Sequence, residues 1–86
     1  MSSPALPVLI GKLQKNASEE VRVVLDEFKG TSLCDMRVFA AFSAAGVPMP
    51  TKKGLSVRVD MLGELIETLT AAKAEAERIG WLGGGD

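Results

Sequence analysis

Residues 20–40 read EVRVVLDEFKGTSLCDMRVFA, two runs of strand-forming residues hinged on a lysine–glycine pair. Val21, Val23 and Leu25 alternate with Arg22, Val24 and Asp26, the period of two that a pleated strand imposes. In the second run Cys34, Met36, Val38 and Ala40 share one side, and Leu33, Asp35, Arg37 and Phe39 the other. Lys29-Gly30 suits a tight hairpin turn, because glycine accepts a positive φ. The stretch therefore predicts an antiparallel hairpin with strands at about 20–28 and 33–42.

Working outward, residues 8–15 read as a preceding strand, closed by the polar turn Asn16-Ala17-Ser18. Residues 43–50, with Gly46, Pro48 and Pro50, read as a loop. A fourth strand at 54–59 sets Leu55, Val57 and Val59 against Ser56 and Arg58. Asp60 is placed to cap a helix over about 61–79, which Gly80 stops. Leu62, Leu65, Ile66, Leu69, Ala72, Ala76 and Ile79 form the apolar stripe of that helix. The order predicts an α+β fold, a four-stranded antiparallel sheet followed by one C-terminal helix. One domain spans 8–82, with a loose arm at 1–7 holding two prolines and a flexible tail at 83–86.

The chain has 86 residues, 47% hydrophobic and 24% charged, which excludes a disordered tail. A chain this short buries only about 60 to 65% of its unfolded surface, so it is marginal alone. The helix stripe is wide enough to meet both the sheet and a second helix, and such pairing buries further apolar area. A two-fold homodimer through Leu62, Leu65, Ile66 and Leu69 is expected.

One cysteine and no histidine exclude a disulfide framework, a Cys/His zinc site and histidine acid–base chemistry. Cys34, on the inward side, reads as a small buried hydrophobe. Lys52-Lys53-Gly54 lacks the first glycine and the hydroxyl residue of a phosphate loop. No nucleophile, base or metal set converges, so no enzyme, cofactor or metal is expected. No run of 18 apolar residues exists, and the N-terminus lacks a signal-peptide charge pattern. A cytoplasmic protein follows, nucleoid-associated if bacterial.

The net charge is −1, which taken whole argues against nucleic acid. The distribution says otherwise: residues 1–60 carry +2 and residues 61–86 carry −3. With the helix covering the inward face, the outward face stays open and collects Lys12, Arg22, Phe28, Arg37, Phe39 and Arg58. Lys52 and Lys53 lie at its edge. Cations neutralise phosphates and rings stack on unpaired bases, so the face suits a single strand without sequence preference. A solvated face explains the same cations, while Phe28 also reads as core and Phe39 as an edge cover or dimer contact. Asp35 reads as an orienter for a neighbouring cation, and Trp81 as a packing residue.

Three segments also carry a family resemblance. Val24-Leu25-Asp26-Glu27-Phe28-Lys29-Gly30, Asp35-Met36-Arg37-Val38-Phe39 and Pro50-Thr51-Lys52-Lys53-Gly54-Leu55-Ser56 resemble the core of the transcriptional positive cofactor four family, also called coactivator p15. Glu19-Glu20-Val21-Arg22-Val23 and Arg58-Val59-Asp60-Met61-Leu62 are most similar to its bacterial members. The resemblance implies a curved four-stranded sheet and helix in a homodimer. It implies binding of single-stranded DNA or melted duplex, with contacts to the transcription machinery. Its binding positions fall on Lys12, Phe28, Lys29, Arg37, Phe39 or Ala40, and Lys53. Thr31, Ala40 and the apolar 43–46 segment depart from the family pattern and each removes a contact. Those departures keep open a protein-assembly module with weak or lost nucleic-acid binding, and an RNA-binding variant.

Overall fold

A computed structural model describes residues 5–40 and 46–82. Four strands, β1 (Val8–Gln14), β2 (Glu19–Phe28), β3 (Thr31–Ala40) and β4 (Met49–Arg58), form one open antiparallel sheet in sequence order. A short 3-10 turn (Val59–Met61) leads into the helix α1 (Leu62–Arg78). The α+β order matches expectation. The loose ends expected at 1–7 and 83–86 fall largely outside the described residues, which omit 1–4 and 83–86. Residues 41–45, which hold the end of the expected third strand and most of the departing 43–46 segment, also lie outside them.

The β2–β3 hairpin forms where the sequence predicts it. Lys29 and Gly30 both take positive φ, 52° and 82°, and Phe28 pairs with Thr31 across them. Two central residues at positive φ match the right-handed twist of the flanking strands. Val21, Val23 and Leu25 pair with Val38, Met36 and Cys34, and the last two pair onward with Leu55 and Val57. Cys34, Val38 and Ala40 are buried, so the core sits under β3 as the alternation required.

Three expectations need correction. β4 begins at Met49, not at 54, and takes in Pro50. Proline cannot donate to a ladder, but β4 is an edge strand, so its outer side needs no donors. Simple alternation along the first strand sets Leu9 inward with Leu13; an irregularity between Leu9 and Gly11 pairs it instead with Val24 on the outward side. Asp60 does not cap the helix. It lies within the 3-10 turn, 3.5 Å from Arg58, and neither turn nor helix has a side-chain cap.

The helix stops as expected. Gly80 has φ 83°, its N–H donates to the Glu77 carbonyl, and Trp81 N–H donates to the Ala76 carbonyl at 2.8 Å. These two bonds satisfy carbonyls that the last helical turn leaves free.

The helix does not lie over the inward sheet face. It meets the sheet at a cavity lined by Val57, Met61, Glu64, Leu65 and Thr68. None of its residues is buried, and Leu13 and Leu55 on the inward side stay exposed. Trp81, expected to pack, is 80% exposed in the single chain. The radius of gyration is 15.9 Å, against about 12 Å for a closed domain of this length. The chain by itself does not close its core.

Candidate nucleic-acid interface

The sheet register aligns one row across all four strands. Lys12 pairs with Arg22, Arg22 with Arg37, and Arg37 with Gly54. Paired residues share a face, so the three cations stand side by side on the outward side. The neighbouring row holds Gln14, Glu20, Phe39 and Pro50. The row on the other flank holds Leu9, Val24, Asp35 and Ser56.

Like charges directly opposite one another repel. Each arginine in the row is matched by a carboxylate two residues away on the same strand face. The Arg22 Nε donates to Glu20. The Arg22 guanidinium also lies over the Phe39 ring, its Cζ 4.3 Å from the centroid. Arg37 donates to both oxygens of Asp35, at 3.1 and 2.9 Å, and to the Thr51 carbonyl at 3.2 Å. Ser56 Oγ donates to Asp35 at 2.7 Å. The Arg37 bonds hold the Asp35 carboxyl below its usual range, Ser56 adds to this, and partial burial opposes it. In return the hydrogen bonds and charge of Asp35 raise Arg37 above its ordinary value.

Gly54 completes this arrangement. A Cβ there would meet the Met36 carbonyl oxygen at 2.7 Å, and the Arg37 Cα and Cζ at 3.0 Å. Only a residue without a side chain leaves room for the Arg37 guanidinium over β4.

The remaining sequence candidates spread along the sheet. Phe28 is 64% exposed at the hairpin tip, with the Lys29 Nζ 5.4 Å from its ring centroid. Phe28 is therefore not core. Arg58 pairs across with Leu33 and is exposed. Lys52 is exposed. Lys53 immediately precedes Gly54, so it falls on the opposite side of β4. It helps lower the Glu19 carboxyl, after the hydrogen bonds from Asn16 and Lys15. The structure thus brings Lys12, Arg22, Arg37 and Phe39 together. It sets Phe28 and Lys29 at one end and Lys53 toward the β4 edge. Of the dimer candidates, Leu62 and Leu65 are half-buried, while Ile66 and Leu69 are 61% and 56% exposed.

Glu20, Thr51, Gly54 and Ser56 escaped the sequence reading as parts of the site. Glu20 carried a usable signal, an acid two positions from Arg22 on one strand face. The other three depend on the β3–β4 register. Among the described residues no group of acidic or cysteine side chains is placed to hold a metal ion, and no helix is long and apolar enough to cross a membrane.

An open antiparallel sheet with a row of cations, flanking rings and one C-terminal helix defines a small sheet-based binding protein of the α+β class. Residues 15–68 match the family model described as Transcriptional Coactivator p15 (PC4). The match spans more than half of the chain, and the chain belongs to this family. Family membership points to DNA binding in a transcription-related role. Among solved structures, the chain is similar to a PC4 homologue from Burkholderia pseudomallei. In its orthorhombic crystal form the identity is 26% and the TM-score 0.71, over 84% of this chain and 96% of that one. The tetragonal form gives 27% and 0.70, over 78% and 97%. A bacteriophage T5 homologue of the eukaryotic coactivator PC4, implicated in recombination-dependent DNA replication, shares the fold. Its identity is 24% and its TM-score 0.67, over 85% of this chain and 83% of that one. No curated protein matches the sequence.

Proposed function

We propose that the protein binds single-stranded DNA along the outward sheet face, as a homodimer, in transcription regulation or DNA maintenance. The single observation that carries this reading is the row Lys12–Arg22–Arg37, with Phe39 beside it. Strands about 4.8 Å apart give the three cations a span of roughly 10 Å, short enough to meet successive nucleotides. Phe28, exposed at the hairpin tip, offers its ring to unpaired bases, and the half-buried Phe39 contributes beneath the Arg22 guanidinium. Lys29, Lys52 and Arg58 add charge around the face, and Lys53 adds it from the β4 edge. Stacking needs no particular base, so sequence preference is weak. The setting of the T5 homologue supports a role in DNA maintenance as much as in transcription.

The test is a titration with labelled oligo-dT at low and high salt, against duplex of the same length. Each neutralised phosphate contributes about 0.7 to the slope of log affinity against log salt for a single strand. A slope of several units and a clear preference for single strand are expected. A flat salt dependence, or equal affinity for intact duplex, overturns the reading.

A second reading, a protein-assembly module of the same fold, draws on the acids already paired with the sheet arginines and on the exposed Ile66 and Leu69. No gel retardation of a single strand, with self-association retained, would favour it. Competition between matched RNA and DNA strands separates the RNA-binding variant.

A further inference from the structure

Arg37 is not arranged as a cation waiting for a phosphate. Its Nε and one terminal nitrogen form the fork that would clasp a phosphate, and both donate to Asp35. Its other terminal nitrogen donates to the Thr51 carbonyl. These donors point outward within the plane of the guanidinium. One partner belongs to β3 and the other to β4, so the plane is held across both strands. Gly54 lies beneath it, with the Arg37 Cζ 3.0 Å from where a Cβ would stand. Ser56 fixes the Asp35 oxygen that one terminal nitrogen uses. The charge is balanced by Asp35 and the fork is occupied. The side chain is nevertheless 28% exposed.

We infer that Arg37 serves as a stacking shelf for an unpaired base, with Asp35, Ser56, Thr51 and Gly54 as its positioning residues, rather than as a phosphate ligand. The inference rests on the proposed single-strand binding. Guanidinium planes stack on nucleobases much as aromatic rings do. The shelf lies one strand from the Arg22 guanidinium, which itself covers the Phe39 ring. The sheet face then offers two cationic planes and the Phe28 ring for stacking. This lets a chain with few aromatics bind bases.

The experiment compares wild type and Arg37→Lys on oligo-dT and on an abasic oligonucleotide of equal length, over a range of salt. Lysine keeps the charge and loses the plane. The shelf predicts an unchanged salt slope, a loss of about fivefold or more on oligo-dT, and affinity equal to wild type on the abasic strand. Arg37→Lys binding oligo-dT as tightly as wild type overturns it. So does a loss of the same size on both strands. Asp35→Ala covers the case in which the Arg37→Lys chain does not fold, since it keeps Arg37 and removes its clamp. It should narrow the preference for oligo-dT over the abasic strand; an unchanged preference overturns the shelf. Failure of wild type to bind oligo-dT at all would instead sink the single-strand reading itself.

Discussion

Gly54 is where one atom decides the interface. A Cβ at this position would stand 2.7 Å from the Met36 carbonyl oxygen, a backbone atom that cannot turn aside. Gly54→Ala must push β3 and β4 apart, and overpacking of this kind costs about 1 to 3 kcal/mol. Chemical denaturation should register that loss, and oligo-dT affinity should fall with it as Arg37 is lifted. Asp35 sets a second, pH-dependent outcome. Its folded carboxyl lies below the ordinary aspartate range, chiefly through the hydrogen bonds from Arg37. Its stabilising contribution is therefore complete above the unfolded value and is lost as pH falls through the lower folded one. Above about pH 5 the contribution should be flat. In strong acid, wild type should lose stability that Asp35→Asn never had, and carboxyl titration by NMR should place the Asp35 midpoint below the ordinary range. How much of this was legible depended on the residue. Asp35 and Arg37, two apart on one strand, could be read as a pair from alternation alone. Ser56, Thr51 and Gly54 could not, because two steps along β3, from Arg37 to Phe39, face four along β4, from Gly54 to Pro50. Nothing in the composition of β4 marks that insertion.

Elements were legible where local chemistry dictates them. The β2–β3 turn and the helix stop both rest on glycines at positive φ, and both stand where the sequence put them. The start of β4 was hidden because Pro48 and Pro50 signal a loop, and only the strand order reveals an edge that tolerates proline. Lys29 is the odd residue in the turn. It holds φ 52°, a conformation that costs a residue with a Cβ about 1 to 2 kcal/mol and that asparagine enters more readily. A turn chosen for stability alone would carry asparagine there. Backbone strain of this kind tends to gather at functional positions. Lys29→Asn should therefore raise the melting temperature, by a gain of up to about 1 kcal/mol, while lowering oligo-dT affinity through the lost cation. A rise in both would show that Lys29 has no part in binding. The same element logic explains the failed cap at Asp60. The chain leaves β4 through a 3-10 turn, so the helix starts later than a direct strand-to-helix step would allow, and Asp60 turns to Arg58 instead.

At the scale of the molecule, the dominant fact is uncovered surface. The chain exposes 6752 Å², about 1,900 Å² more than a compact monomer of its mass. Leu13 and Leu55 on the inward sheet side, Ile66 and Leu69 on the helix and Ile79 just after it are among the apolar side chains left open. A standard interface hides about 800 Å² per partner, so the excess is more than enough for a second copy to bury. The helix stripe was legible as amphipathic. That it would lean away from its own sheet was not, since periodicity shows which residues seek cover and not which chain provides it. Leu65 is half-buried and lines a cavity with Val57 of its own chain, whereas Ile66 and Leu69 are exposed. Substitutions at these positions should therefore separate. Ile66→Glu with Leu69→Glu places two charges in the buried contact of the proposed dimer without touching the packing within one chain. Sedimentation equilibrium should give twice the chain mass for wild type and a lower mass for the variant. Because a monomer cannot hide this surface elsewhere, the variant should also melt at lower temperature, and wild type should melt higher as its concentration rises. A wild-type mass of a single chain, with a melting temperature independent of concentration, would mean that the open apolar face is covered some other way.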